Sequence, residues 1–321
     1  MRKDQILITG ANGQIGSVLT QSLRERYGNA RVLATDIRPP QHDTGPFELL
    51  DILDRQRWAA LIDRYRVTQI YHLAAILSAN GEQRPQKAWE VNMTGLLNAL
   101  ELARDRAIDK LFFPSSIAVF GPEVTKEQTP QEAVLNPTTV YGISKAAGEN
   151  WCYYYHQRHG IDVRSLRYPG IVGYQGMPGG GTTDYAVDIY HRAVQGQPFR
   201  CFLSARTTLP MIYMPDAIRA TIDLMEAPRN RIGLRSGYNL AGMSFNPAEI
   251  TREIQRHIPG FTVEYQPDFR QAIADSWPRS IDDRAAREHW GWRAGYNLGR
   301  MTEDMIDHLR KKYQNEVVQQ S

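Results

Sequence analysis

Ile6-Leu7-Ile8-Thr9-Gly10-Ala11-Asn12-Gly13-Gln14-Ile15-Gly16 stands near the start of the chain and decides how the rest is read. The apolar run Ile6 to Thr9 has the length and composition of a strand buried on both faces. Glycines follow at 10, 13 and 16, after which Ile15, Val18, Leu19 and Leu23 recur with a helical period. This spacing predicts strand, tight turn and helix. Gly10 allows the turn, Gly13 lets a pyrophosphate approach the backbone, and Gly16 lets helix and strand pack closely. Asp36 stands twenty residues after Gly16, at the end of a second apolar run, Val32 to Thr35. A carboxylate there accepts hydrogen bonds from ribose hydroxyls and repels a 2′-phosphate, which predicts NAD rather than NADP. Arg38, two residues further on, is the side chain that keeps a 2′-phosphate in play.

Outward from this turn, further short runs at Ile70 to Ala74, Leu111 to Pro114 and Val163 to Tyr168 alternate with helical patterns such as Ala88, Val91, Asn92, Gly95, Leu96, Ala99 and Leu102. Strand, helix, strand repetition implies an α/β fold, a doubly wound parallel sheet of the Rossmann type. Residues 1–170 are assigned to this dinucleotide-binding domain, with strands returning after residue 205. Residues 171–321, where Gly- and Pro-rich stretches and shorter elements replace the regular units, are assigned mainly to a smaller C-terminal α/β substrate lobe. Helices are expected at Asp184 to Val194, Asp216 to Glu226 and Pro247 to His257, the last capped by Ser244 or Asn246, and the tail after Lys312 is expected to fray. Ligands of such sheets bind at the carboxyl ends of the strands. The cofactor set is therefore Gly10, Asn12, Gly13, Gln14, Ile15 and Gly16 in the turn, and Asp36, Ile37 and Arg38 after the second strand. Asp51 and Ile52 join it beside the adenine, Leu73, Ala74 and Ala75 along the pyrophosphate and nicotinamide ribose, and Tyr168, Pro169 and Ile171 after the last regular strand. His72 reads as a packed core residue.

Composition closes off other classes. The chain has 321 residues, 42% hydrophobic and 23% charged, which is ordinary for a globular protein. With 38 basic against 35 acidic residues and no basic block, nothing marks a nucleic-acid surface. Two cysteines, Cys152 and Cys201, make neither a disulfide framework nor a metal site, and no metal is expected. No apolar window approaches the roughly 18 residues of a membrane span, and no signal peptide is evident. A cytoplasmic location is the simplest expectation.

Tyr141-Gly142-Ile143-Ser144-Lys145 places a phenol and an ammonium four residues apart on one helix face. Twenty-five residues earlier, Ser115 and Ser116 supply hydroxyls at a strand end. A phenol with an ordinary pKa near 10 is a poor base at neutral pH, and a neighbouring ammonium favours its phenolate. Tyr141 is therefore expected to take the proton of a substrate alcohol, Lys145 to lower the tyrosine pKa and hold the nicotinamide ribose, and Ser115 and Ser116 to position the reacting oxygen.

With TGANGQIG (Thr9 to Gly16), Asp36, HLAA (His72 to Ala75), VNMTGLLN (Val91 to Asn98), PSSIAVFG (Pro114 to Gly121) and YGISK (Tyr141 to Lys145), the chain resembles the extended short-chain dehydrogenase/reductases over essentially its full length. The resemblance implies that Asn92 shapes the cofactor strand and the active-site water network. Most extended members act on nucleotide sugars and carry an R-x-x-N-x-Y-G segment after the sixth strand. Here the segment reads Leu166-Arg167-Tyr168-Pro169-Gly170-Ile171, and the asparagine is absent. Instead, the stretches Pro178 to Ile189 and Thr207 to Thr221 look like the L-threonine 3-dehydrogenases of the short-chain type. That likeness implies NAD-dependent oxidation of the L-threonine hydroxyl to L-2-amino-3-oxobutyrate.

A free amino acid is a small zwitterion, and the amides of the Gly-rich run before Asp184 suit its carboxylate. Ser78, Gly180, Thr182, Thr183 and Asp184 form the candidate substrate set, with the partners of carboxylate and ammonium left open. Trp277 either closes over the site, as the resemblance implies, or packs the lobe. A nucleotide-sugar epimerase or dehydratase, and a non-catalytic NAD-binding protein, are the alternatives. The family also implies a homodimer through helices near Ala88 to Arg104 and Thr139 to Arg158, whose aromatic residues Trp151, Tyr154 and Tyr155 suit a partner surface.

Overall fold

The computed structural model describes residues 4–40, 44–177 and 181–320. Twelve strands run β1 (Ile6–Thr9), β2 (Val32–Asp36), β3 (Phe47–Leu49), β4 (Gln69–His72), β5 (Lys110–Ser116), β6 (Val163–Tyr168), β7 (Gly170–Val172), β8 (Phe199–Cys201), β9 (Leu209–Tyr213), β10 (Tyr238–Asn239), β11 (Met243–Phe245) and β12 (Val263–Tyr265). The helices are α1 (Gln14–Tyr27), α2 (Arg55–Tyr65), α3 (Ser78–Gln83), α4 (Pro85–Trp89), α5 (Gly95–Asp105), α6 (Val140–His159), α7 (Tyr185–Val194), α8 (Met214–Glu226), α9 (Pro247–His257), α10 (Arg270–Ser276), α11 (Arg284–Trp290) and α12 (Leu298–Gln320). Between α4 and α5, Glu90–Thr94 form one π-helical turn.

The main sheet is parallel, with strand order β3-β2-β1-β4-β5-β6-β10. Chain order reverses between β1 and β4, and the crevice above that reversal is where a doubly wound sheet binds its ligand. All residues of β1 and β6 are buried, as strands covered on both faces must be. One face packs on α1, α8 and α11, where Leu19 and Leu23 are wholly buried; each such leucine contributes about 1.5–3 kcal/mol. The other face packs on α2, α5 and α6 through Trp58, Leu96 and Leu100. A third core joins α7, α9 and α12 around Tyr185, Ile189, Phe245 and Met305.

The local signals act where their chemistry requires. The Thr139 Oγ1 accepts from the Gly142 amide at 3.1 Å and starts α6, and Gly160 in the left-handed region ends it. Asn246 and Glu249 form a reciprocal capping box on α9, whereas Ser244 is exposed in β11 and caps nothing. α12 continues past Lys312 to Gln320, held at its first turn beyond that point by Tyr313, whose hydroxyl meets His191 Nδ1 at 2.7 Å. Among the described residues no helix is long and apolar enough to cross a membrane.

Candidate active site

The glycine turn is built to close tolerance. Gly10 adopts φ +70°, and a Cβ there would lie 2.7 Å from the Ala74 amide nitrogen. A Cβ at Gly16 would lie 2.1 Å from the Gly10 carbonyl oxygen. Gly13 precedes α1 and no side chain caps that helix, so its first amides point at the crevice, where an anion is favoured. Asp36 is held from two sides, its Oδ2 accepting from the Asn12 amide at 3.1 Å and its Oδ1 from the Arg38 amide at 3.3 Å. Asn12 Nδ2 also donates to the Arg38 carbonyl, so turn and strand end move as one piece. Ile37 lies exposed beside them, Asp51 accepts from the Leu53 amide, and Ile52 is buried beneath Gly95 of α5. His72 is fully buried against Trp58, its Nδ1 bonded to Thr9 Oγ1 at 2.9 Å, and burial pushes its imidazole down to about 3. It is a neutral core residue, as its setting in the strand suggested.

α6 carries the phenol and the ammonium against the end of β5. The Ser116 hydroxyl stands near enough to the Tyr141 phenol to favour its phenolate, and Ser116 Oγ accepts from the Ala118 amide at 3.1 Å. Lys145 Nζ donates to the Pro114 carbonyl at 2.7 Å and lies 5.4 Å from the Tyr141 ring centroid. The two serines are not equivalent. Ser115 turns to the other side of the strand end and donates to Glu149 Oε1 at 2.5 Å. Burial pushes the phenol up to about 12, against a smaller lowering by Ser116, and pushes the ammonium down to about 7. The ammonium is tied to the Pro114 carbonyl on the strand. Asn92 sits in the π-helical turn, a device common at functional sites. Its side chain accepts from the Ile76 amide at 2.8 Å and donates to the Ile76 carbonyl at 3.1 Å and to Ser144 Oγ. Asn92 therefore pins the loop after β4 to α6.

Above these groups lies a cavity of about 150 Å³. Gln14, Ile15, Leu73, Ala75, Ser78, Ser115, Ser116, Tyr141, Lys145, Tyr168, Pro169, Ile171, Thr182, Thr183, Asp184 and Trp277 all line it. Gly180 lies outside the described residues. Thr182 is buried, and its hydroxyl has no hydrogen-bond partner among the described residues. Asp184 uses Oδ2 to accept from the Gly181 amide at 2.7 Å and shapes the loop. Tyr168 lines the cavity, but its hydroxyl bonds Thr221 on the far side. Trp277 lines the cavity and also packs into the core around Tyr185. Leu77, Ile117 and Gly170 also line the cavity and carried no sequence signal. Glu149 did carry one that was overlooked, standing four residues beyond Lys145 on the same helix face. Among the described residues no cluster suited to a metal exists.

Residues 6–241 match the model of the NAD-dependent epimerase/dehydratase family. The chain belongs to this family. Its cofactor is NAD, and the cradle fits it: Gly10 and Gly16 leave no room for a side chain, the start of α1 offers unpartnered amides, and Asp36 stands ready for the ribose. The family member described here is an NAD-dependent oxidoreductase. It is 57% identical to a structure of a partial consensus L-threonine 3-dehydrogenase (96% of this chain, 99% of that one, TM-score 0.95). It is 56% identical to the holo form of a GalE-like L-threonine dehydrogenase from Cupriavidus necator (95% and 99%, TM-score 0.94). An uncharacterized epimerase/dehydratase of Staphylococcus haemolyticus is 48% identical over 317 residues, 97% of this chain and 99% of that protein. A similar structure, 48% identical, is described as a monomeric L-threonine 3-dehydrogenase. A UDP-glucose 4-epimerase from Thermotoga maritima shares the fold at 21% identity.

Proposed function

We propose that the protein oxidises L-threonine at its hydroxyl carbon, giving L-2-amino-3-oxobutyrate. The observation that carries this reading is the full-length likeness, at 56–57% identity, to structures named as L-threonine dehydrogenases. The cavity supports it. Ser78, Thr182, Thr183 and Asp184 line it beside Tyr141, a set of hydroxyls and a carboxylate suited to a small zwitterion.

NAD, when bound, would supply the acceptor for the hydride of the substrate carbon. The protein's own part is to hold the hydroxyl and take its proton. Ser116 fixes the substrate oxygen against the Tyr141 phenol, and Tyr141 as phenolate removes the proton. Lys145, its ammonium at the strand end, would hold the nicotinamide ribose and favour the phenolate once its bond to Pro114 is shared. The unpartnered Thr182 hydroxyl and the amides before α7 receive the zwitterion. Purified protein with NAD and L-threonine should generate NADH absorbance, and Tyr141→Phe should lower kcat at least a thousandfold while sparing NAD affinity. Turnover of a UDP-sugar with none of L-threonine would overturn the reading.

A homodimer is proposed on the exposed aromatic strip of α6. Trp151 and Tyr154 are 39% and 50% exposed, large areas for aromatic side chains on a single helix. Tyr155 does not belong to the strip, because it packs inside the subunit and bonds Glu101. Sedimentation at two concentrations tests the dimer, and a single monomeric species at both would dispose of it.

A further inference from the structure

The helix face that carries Tyr141 and Lys145 continues one turn further to Glu149, and the three side chains meet successive parts of one strand end. Tyr141 meets Ser116, Lys145 holds the Pro114 carbonyl, and Glu149 accepts from Ser115 at 2.5 Å. Glu149 is 1% exposed. Arg167 grips it with two donors, Nε at 2.9 Å and Nη2 at 2.8 Å, from the residue of β6 that stands in register with Ser115. Arg167 Nη1 reaches onward to the Gln131 carbonyl and to Asn239 Oδ1, and Asn239 Nδ2 donates to the Thr129 and Asp282 carbonyls. A buried pair with this many satisfied donors is rigid, and removing one partner leaves the other charge uncompensated.

We propose that Glu149 is a positioning residue of the reaction: clamped by Arg167, its carboxylate fixes the end of β5 through Ser115 and places a fixed negative charge one turn from the Lys145 ammonium. The inference rests on the reading of Tyr141 and Lys145 given above. Lys145 is buried among few groups that titrate. On its own helix these are Tyr141, Glu149 and Cys152, on β4 it is His72, and Arg167 of β6 lies behind Glu149. Burial holds the thiol of Cys152 well above its ordinary range and the imidazole of His72 far below its own, so both are neutral near pH 7. Glu149 is then the neighbouring carboxylate that opposes the loss of the Lys145 charge, and with that ammonium already pushed down to about 7 its effect falls within the working range.

Glu149→Gln keeps the shape and removes the charge, and Glu149→Gln with Arg167→Met restores charge balance in case the single variant does not fold, as circular dichroism and melting will show. In Glu149→Gln the basic limb of the kcat/KM profile for L-threonine should move at least half a pH unit, and about one, towards lower pH, and in the double variant, which also loses the Arg167 charge, by a smaller amount in the same direction. Calorimetric titration with NADH from pH 6 to 9 should show the same displacement in the pH at which affinity falls. Superimposable NADH profiles for the wild type and the folded variant would overturn the inference, whatever the loss of stability. Because the NADH titration needs no substrate, failure of the wild type to oxidise L-threonine would overturn the substrate reading alone.

Discussion

Replacing Gly142 with alanine tests how closely the chemistry depends on the seam between α6 and the strand-end turn. The added Cβ would lie 2.1 Å from the Ala118 carbonyl oxygen and 2.7 Å from Pro137 Cβ. Ordinary contact begins near 3.4 Å, so helix and turn must part by about 1.3 Å. Residues Ile117 to Phe120 are wholly packed and cannot absorb this locally. Overpacking of this kind costs about 1–3 kcal/mol, and the better helix propensity of alanine offsets about 1 kcal/mol, leaving a net loss of roughly 0–2 kcal/mol. Turnover should suffer far more, because a displacement near 1 Å between Tyr141 and Ser116 costs about a hundredfold. The assay is steady-state NADH formation from L-threonine beside a thermal melt and an NAD titration. The expected result is kcat down about a hundredfold, a Tm lower by only a few degrees, and NAD affinity within a factor of about two. A kcat within threefold of the wild type would refute the argument, since the seam would then not set the Tyr141 to Ser116 geometry.

Two further predictions concern charge. Asp36→Ser removes the carboxylate that Asn12 and Arg38 hold in place, and the kcat/KM ratio of NAD to NADP should fall at least a hundredfold, or about 2.7 kcal/mol. An unchanged ratio would place the adenosine ribose elsewhere. Lys145 is pushed down to about 7 from its ordinary 10.5, so between those values the unfolded chain binds the proton that the folded one releases, and stability rises with pH. Lys145→Met loses this gain. The stability advantage of the wild type over the variant should therefore grow from pH 7 to pH 9 by on the order of 2 kcal/mol, read from urea unfolding at each pH; parallel curves would mean that the ammonium is not desolvated as described.

The sheet was legible because each strand is a short run of Ile, Leu, Val and Phe between turn residues, and a parallel sheet buried on both faces leaves no other use for such runs. β3 and β10 escaped for the opposite reason. Phe47-Glu48-Leu49 and Tyr238-Asn239 are edge strands too short to show a pattern. In the site, spacing recorded which residues share a helix face, so Tyr141 and Lys145 stood out. What a side chain turns towards is settled by the strand opposite, which is why the divergence of Ser115 from Ser116 had no sequence signature. Asn92 shows the same limit, because its reach to Ile76 depends on a π-helical turn that no local composition announces.

Among the described residues the two-residue β10 is the strand that pairs with the outer edge of β6, and it lies some seventy residues further along the chain. During synthesis the first six strands emerge well before their closing piece. Until Asn239 leaves the ribosome, the β6 edge stays unpaired and Arg167 lacks one of its buried acceptors. A growing chain of that length presents an open sheet edge, the kind of surface that joins neighbouring chains. Expression of residues 1–175 alone should therefore yield an insoluble or chaperone-bound product, even though the glycine turn and the Tyr141 helix are both present in it.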